Sequence, residues 1–256
     1  MLEGLFGGAL RDSELRSQTI SSASLEAKIA GLGVPVDVYK ALEPANKIKL
    51  IAEIKRRSPS KGYLAEIPDS GIQAKLYESS GAHAISVLTE QHGFGGSLED
   101  LESASKQVQI PLLRKDFIST EYQILEARAS GADFVLLILA GLNKSLFSRL
   151  YRFAHDLGLG VLVETHNQKE LEVAGENDSK LIGINTRDLE TFRTDTSLFE
   201  KLAAALPSTT IKVAESSVKT ASDVVRYRQA GADVVLVGEA LVTGDPAKLI
   251  PEFISV

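Results

Sequence analysis

A glycine–alanine pair placed directly before an apolar segment recurs three times in this 256-residue chain and constrains its fold most strongly. The pairs begin at Gly81, Gly131 and Gly231, and the segments after them are AISVL, FVLLIL and VVLVG. Each pattern is typical of a helix that ends at a glycine and is followed at once by a buried strand. The spacings of 50 and 100 positions indicate βα units of about 25 residues, of which these are the second, fourth and eighth.

Further apolar runs complete a set of eight predicted strands. They cover residues 49–54, 110–114, 159–164, 180–185 and 210–215. Near-continuous valine, isoleucine and leucine suit parallel strands that are covered on both faces. Helix-like stretches alternate with them, as at residues 97–107, 119–130, 143–156 and 219–230. The even spacing and the missing G-x-G-x-x-G fingerprint favour an α/β eight-fold βα (TIM) barrel over an open doubly wound sheet.

The chain length is that of one barrel domain, so we expect residues 1–256 to form a single domain. Residues 1–46 precede the first strand and hold a helix-like portion near residues 24–30. Proline residues at positions 35 and 44 interrupt any longer helix between that portion and the first strand. We therefore predict an N-terminal helical extension that packs on the barrel.

Charge and composition narrow the possible partners and compartments. The formal charge of −6 argues against nucleic acid as the main partner, because nucleic acid rewards a broad positive surface. No apolar run is long enough to cross a bilayer, and no export signal begins the chain, so we expect no membrane partner. The chain has no cysteine, which is compatible with a reducing compartment. Cytoplasmic localisation is the expectation.

Charged residues end several of the predicted strands, where the active site of such a barrel lies. Glu53 and Lys55 share one face of the first strand by its two-residue period, although an internal ion pair remains the alternative reading. Ionisable groups are costly to bury together unless they are paired or engaged with a ligand. A lysine near carboxylates can act as a general acid, and a buried glutamate can exchange protons near neutrality. The other strand-end residues are Lys115, Glu164, Asn185 and Glu215.

Phosphate-binding candidates follow the last two predicted strands. Ser216 and Ser217 end one of them, and Gly238 opens a short helix-like segment after the other. Loops in these positions are the usual phosphate site of such barrels. The segment 58–62 offers further hydroxyls and a lysine, although serine, proline and glycine also make ordinary turns. His92 and His166 follow strands without H-x-x-x-H spacing, so the sequence predicts no metal site.

The chain resembles the indole-3-glycerol-phosphate synthase family in an ordered series of motifs, one at nearly every strand end. They are IAEIKRRSPSKG (51–62), SVLTEQHGFGGS (86–97), PLLRKDF (111–117), VLVETH (161–166), IGINTRDL (182–189) and VAESS (213–217). The resemblance implies a cofactor-free lyase of tryptophan biosynthesis. It would decarboxylate and dehydrate carboxyphenylamino-deoxyribulose phosphate, a small phosphorylated substrate, to indole-3-glycerol phosphate. A monomer is the expectation.

The resemblance also implies roles for the strand-end residues. Lys115 would be the general acid that activates the substrate carbonyl for ring closure. Lys55, oriented by Glu53, would hold the substrate carboxylate or assist proton transfer, and Glu164 would handle the proton of the dehydration. Hydroxyl binding and charge stabilisation would fall to Asn185 and Glu215.

The same resemblance implies a substrate-binding set with an apolar and a polar part. The apolar part would contact the anthranilate ring, and the polar part would surround the phosphate. The apolar residues are Phe94, Phe117 and Leu136, and the others are Ser58, Arg187, Ser216, Ser217, Gly238 and Glu239.

Two departures from the family pattern near these residues are expected to matter. Ser217 stands where glycine is usual, and if that position needs a positive φ, serine should weaken phosphate binding. His92-Gly93 replaces the aromatic residue that usually precedes Phe94, so the loop is expected to close less tightly. Thr186 replaces a common asparagine with little expected effect.

Three other functions remain compatible with the sequence. A Schiff-base aldolase could use Lys55 or Lys115 as its nucleophile. Another phosphosugar enzyme is compatible too, because one fold hosts many reactions. A catalytically silent ligand-binding or scaffold protein would not need the charges at the strand ends, which are all present.

Overall fold

The structure is a computed structural model that describes residues 1–188 and 193–256, and within them eight parallel strands form a closed barrel. Strand β1 pairs with both β4 and β10, which closes the ring. A two-stranded hairpin of β2 (Arg57–Ser58) and β3 (Gly62–Tyr63) follows the first barrel strand. The barrel strands are β1 (Lys49–Ile54), β4 (Ala84–Leu88), β5 (Leu112–Lys115), β6 (Phe134–Ile138), β7 (Gly160–Thr165), β8 (Leu181–Asn185), β9 (Ile211–Glu215) and β10 (Val234–Val237).

Helices cover the outside of the barrel and precede its first strand. A 3₁₀ turn, Leu139–Gly141, follows β6. The helices are α1 (Leu2–Ser17), α2 (Ser22–Ala30), α3 (Val38–Ala41), α4 (Ser70–Ser79), α5 (Leu98–Ser105), α6 (Glu121–Ala129), α7 (Lys144–Asp156), α8 (Gln168–Glu176), α9 (Ser197–Ala203), α10 (Ala221–Gln229), α11 (Glu239–Thr243) and α12 (Pro246–Phe253). Within the described residues, none of these helices is long and apolar enough to span a membrane.

The predicted barrel is confirmed, with two differences in detail. The third barrel strand was predicted at residues 110–114 but lies at Leu112–Lys115. Pro111 has no N–H to donate, so the regular ladder begins after it. The helix predicted near residues 24–30 is α2, whereas α1 had no sequence prediction. Three glycines within α1 weaken its helical pattern.

Alternate side chains of each barrel strand enter two separate cores. Ile51, Leu113, Leu162 and Val213 point into the barrel and pack together there. Their strand neighbours, such as Leu50, point outward and pack beneath the helices. This two-residue alternation determines which polar side chains at the strand ends face the barrel axis.

The N-terminal segment covers one end of the barrel and borders the other. Val38 of α3 fills the space beside Gly160, where a Cβ atom would collide with it. At the opposite end, the ring of Phe6 from α1 lies over Gly141, which equally has no room for a Cβ atom. Helix α2 packs through Leu25 on α6. The carboxyl ends of the strands are left with an open cavity.

Candidate active site

A cavity of about 550 Å³ lies at the carboxyl ends of the barrel strands. All of the site residues predicted from the sequence line it, and it also takes in residues that the sequence did not point to, such as Leu2 and Leu5 of α1. The predicted residues in its wall are Glu53, Lys55, Ser58, Phe94, Lys115, Phe117, Leu136, Glu164, Asn185, Arg187, Glu215, Ser216, Ser217, Gly238 and Glu239.

A lysine between two glutamates forms the centre of the cavity. Lys115 Nζ lies 3.2 Å from Glu164 Oε2 and 3.8 Å from Glu215 Oε2. Asn185 donates from Nδ2 to the other oxygen of Glu164, Oε1, at 3.1 Å. The four strands that end here present these groups inward, because each residue is in phase with the inward-facing positions of its strand. The result is a buried cluster in which cation and carboxylates are within proton-transfer reach.

The two glutamates of this cluster differ in their affinity for protons. Burial raises the pKa of Glu164, but the charges of Lys115 and His166 and the hydrogen bond from Asn185 together outweigh it and hold the pKa below its ordinary value. Burial and the charge of Glu164 raise the pKa of Glu215 well above its ordinary value. Burial lowers the pKa of Lys115, yet the charges of Glu164 and Glu215 raise it overall. Within the cluster, Glu215 therefore holds a proton more tightly than Glu164, and Lys115 is kept in its charged form.

Two glycines, Gly183 and Gly238, leave space for charged side chains of the cavity. A Cβ atom at Gly183 would collide with Glu215 Oε1, and that oxygen has no hydrogen-bond partner among the described residues. A Cβ atom at Gly238 would collide with Glu53 Oε2 and lie 3.0 Å from Lys55 Nζ. Glu53 and Lys55 form an ion pair, as their shared strand face predicted. Gly238 is therefore required for space, since its φ of −118° is open to any residue.

Two phenylalanines form an apolar wall beside the charged cluster. The ring centroids of Phe94 and Phe117 are 6.1 Å apart, and Leu136 lines the same cavity. Each aromatic residue follows a turn held by a buried carboxylate. Glu90 accepts the N–H groups of residues 92, 93 and 94 at 3.0, 2.7 and 2.9 Å, and Asp116 accepts the N–H of Phe117 at 2.8 Å. These turns place the rings by backbone geometry rather than by side-chain packing alone.

The opposite wall is polar and is built mainly from loops. Ser216 and Ser217 both have left-handed backbones, with φ of 70° and 62°. Ser217 thus has the positive φ on which the prediction depends, while the weaker phosphate binding itself stays a prediction. The hydroxyl of Ser216 donates to Asn185 Oδ1 at 2.8 Å. Lys61 of the β2–β3 turn forms an ion pair with Glu239, so two groups of this wall pair with each other.

His166 adjoins the charged cluster from outside the cavity, a position that the sequence analysis did not recognise. Its Nε2 atom is 3.3 Å from Glu164 Oε1, and its Nδ1 atom is 3.2 Å from Glu170 Oε2. The sequence feature that could have indicated it is that His166 lies two residues after Glu164. Among residues 1–188 and 193–256, no group of three or more histidine, cysteine, aspartate or glutamate residues could hold a metal ion. The absence of a cofactor stays a prediction.

The fold and this site together define a βα-barrel enzyme that carries out acid–base chemistry. The model of the family described as "Indole-3-glycerol phosphate synthase" matches residues 9–253. The chain belongs to the indole-3-glycerol phosphate synthase family. It is accordingly an enzyme of the carboxy-lyase class.

Individual relatives agree with this membership. An indole-3-glycerol phosphate synthase from Leifsonia xyli subsp. xyli is 51% identical over 253 residues, which is 99% of this chain and 97% of the relative. One from Parafrankia sp. is 45% identical over 255 residues, covering 99% and 95%. Among solved structures, an N-acetylmannosamine-6-phosphate 2-epimerase from Clostridium perfringens superposes with a TM-score of 0.61 over 83% of this chain and 95% of that one. At 14% identity this last likeness shows the fold alone.

Proposed function

We propose that this chain closes the indole ring of 1-(2-carboxyphenylamino)-1-deoxyribulose 5-phosphate, releasing CO₂ and water and forming indole-3-glycerol phosphate. The observation that carries the proposal is the position of Lys115. Its ammonium group contacts two carboxylates in a cavity that the aromatic residues Phe94 and Phe117 and the serine-rich wall also line. The substrate has groups to match each of these, namely an aromatic ring, a ketone and a phosphate.

Ring closure begins with the ketone. The aromatic carbon that bears the carboxylate attacks the carbonyl carbon, while the ammonium of Lys115 donates a proton to the carbonyl oxygen. Lys55, held by Glu53, binds the substrate carboxylate until its bond to the ring breaks. The electron pair of that bond then restores the aromatic ring as CO₂ leaves.

Dehydration uses the difference in pKa between the two glutamates. Glu215, whose pKa is raised, is the better proton donor of the two and gives its proton to the departing hydroxyl, which leaves as water. Glu164 is ionised and accepts the proton lost by the methylene carbon beside the ring nitrogen, so that the carbon–carbon double bond of the indole forms and the nitrogen keeps its hydrogen. Asn185 holds Glu164 in place through its 3.1 Å hydrogen bond. The chain thus gives two protons and receives one, so each turnover consumes one proton from solvent.

The phosphate would lie against the polar wall. Ser58, Ser216 and Ser217 supply hydroxyl groups there, and Arg187 supplies a cation. Gly238 lines the same cavity and brings no side chain between its backbone and the anion. Glu239 would have to remain paired with Lys61 for its charge not to oppose the phosphate.

A Schiff-base aldolase is less compatible with this geometry. Its nucleophile would have to be a neutral amine, whereas Glu164 and Glu215 hold Lys115 in its charged form. We expect purified protein to form fluorescent indole-3-glycerol phosphate from the carboxyphenylamino substrate without added metal or nucleotide. Borohydride should trap no lysine adduct. Absence of product together with a trapped adduct would refute the proposal in favour of an aldolase.

The same proposal includes a single domain that acts as a monomer in the cytoplasm. Support comes from the packing of α1 and α2 against α6 of the barrel and from the lack of cysteine. Sedimentation should give the mass of one 27.5 kDa chain. Thermal unfolding should show one cooperative transition, and a second transition would indicate that residues 1–46 unfold separately.

A further inference from the structure

His166 is a buried titratable residue that the proposed reaction does not use. Its side chain is 13% exposed, and it lies behind Glu164 rather than among the described residues that line the cavity. The Nε2 atom is 3.3 Å from Glu164 Oε1, an ion-pair distance without the alignment of a hydrogen bond. A histidine in this position acts on the substrate only through Glu164.

Glu170 fixes the imidazole from the other side. It is the third residue of α8, and its backbone N–H donates to the helix-capping Asn167 at 3.1 Å. Asn167 donates in return to Glu170 Oε1 at 2.6 Å. The second oxygen, Oε2, accepts the backbone N–H of His166 at 2.7 Å and lies 3.2 Å from its Nδ1 atom. The capped helix end thus holds a carboxylate rigidly against the ring.

The charged groups placed against His166 are both carboxylates, Glu164 on β7 and Glu170 on α8. Beyond Glu164 lie Lys115 on β5 and Glu215 on β9. Burial lowers the pKa of His166, but the two carboxylates outweigh it and raise the pKa to about 10. The ring is therefore an imidazolium throughout the neutral range.

This second cation bears on how Glu164 and Glu215 divide their protons. Lys115 contacts both glutamates, so by itself it favours the ionised form of each. Of these two glutamates, His166 contacts only Glu164. An imidazolium on one side of the pair favours the ionised form of the glutamate that it touches and leaves the proton to the other.

We infer that His166, clamped by Glu170, is a positioning residue that keeps Glu164 oriented and ionised as the proton acceptor of the dehydration step. The inference rests on the proposed function for its catalytic meaning. It does not make His166 a catalytic residue, because the ring touches no reacting atom.

The test compares His166→Gln with wild type in kcat and KM across pH. Without the imidazolium, Glu164 should hold its proton more tightly, so the acid limb of kcat should move upward by about one pH unit or more. We expect kcat to fall about tenfold on the acid side of its pH profile and to recover as pH rises toward neutrality, with KM changing less than about twofold. A matched control is His155→Gln, since His155 lies on α7 and bonds to Tyr39 and to the backbone of Tyr151.

A second variant separates this role from a merely structural one. Glu170→Gln leaves the ring in place but removes the carboxylate that favours its charged form. Its acid limb should stay close to that of wild type, because the imidazole remains charged at the low pH where Glu164 titrates, whereas the limb of His166→Gln moves. An acid limb that does not move in His166→Gln, or a loss of kcat that is equal at all pH values in both variants, would overturn the inference.

The charge of His166 is also measurable without turnover. The chain has four histidines, and comparison with His166→Gln identifies the imidazole signal in an NMR titration. We expect this signal to stay in the protonated position well above pH 8, and a transition near 6.5 would refute the inference. Because wild-type turnover is measured separately, a failure of the proposed function remains distinct from a failure of this one.

Discussion

The two polar sides of the cavity differ in how the chain holds them. Lys115, Glu164 and Glu215 end the alternate barrel strands β5, β7 and β9 and are nearly buried, with side-chain exposures of 15%, 1% and 3%. On the other side, Lys61 and Glu239 pair across the mouth with exposures of 47% and 29%. Charges interact more strongly away from solvent, and exposed ion pairs contribute little. We therefore expect the strand-end side to control the rate and the loop side to control binding.

Replacing Lys115 by Met should have the largest effect. Loss of the general acid should reduce kcat by about 10² to 10⁴-fold, while substrate binding, measured by fluorescence titration, should change little. Lys61→Met is the matched control, because it removes an exposed lysine from the loop side and should leave kcat nearly unchanged. Similar losses of kcat in both variants would break the proposed division between the two sides.

Gly183→Ala should show how closely the strand-end side is packed. The new Cβ atom would collide with Glu215 Oε1, and β8 cannot move away because it is paired with both β7 and β9. Displacement of Glu215 should lower kcat by up to about 10²-fold. The free energy of unfolding should fall by about 1–3 kcal/mol, as in other overpacked cores. The control is Gly175→Ala, where a Cβ atom meets nothing within 4 Å, and it should change neither kcat nor packing. An unchanged kcat in Gly183→Ala would contradict the argument.

The raised pKa of Glu215 predicts a pH-dependent change in stability. A carboxyl whose folded pKa is raised stabilises the fold below its unfolded pKa, and this contribution is lost as pH rises toward the folded pKa. Glu215→Gln removes the titration. Wild type should therefore lose stability relative to Glu215→Gln as pH rises above the ordinary pKa of 4.5, so the Tm of the variant minus the Tm of wild type should increase. A difference that stays constant or decreases between pH 4 and pH 8 would show that Glu215 is not held in its protonated form.

Ser217→Gly should have the smallest effect, and it concerns the loop side. Relief of the left-handed backbone should raise the free energy of unfolding by about 1 kcal/mol, and KM should fall while kcat is kept. Asp178→Gly is a matched control, since Asp178 also has a positive φ, of 51°, but precedes β8 at the far end of the barrel. It should gain similar stability with no change in KM. An unchanged KM in Ser217→Gly would refute the link between this backbone and phosphate binding.

The strand-end residues could be predicted because a parallel barrel brings all carboxyl ends of its strands to one face. The period of two then decides which side chains point inward, as for Glu53 and Lys55, whose ion pair the structure contains. The role of α1 could not be predicted in this way. The ring of Phe6 packs over Gly141, where a Cβ atom would collide with it, and nothing in the local sequence relates two residues so far apart. The turns built on Glu90 and Asp116 also depend on backbone geometry that no motif revealed.

Local periodicity, spacing and motifs along the chain were enough to predict the eight-fold barrel, the set of residues around its cavity and the family. The division of protons within that set depends on the tertiary structure alone. Lys115, Glu164, Glu215 and His166 come from three strands and a loop, and their pKa values depend on burial and on distances of 3.2, 3.3 and 3.8 Å between them. Electrostatic interactions of this kind depend on separation in space, which sequence separation does not give.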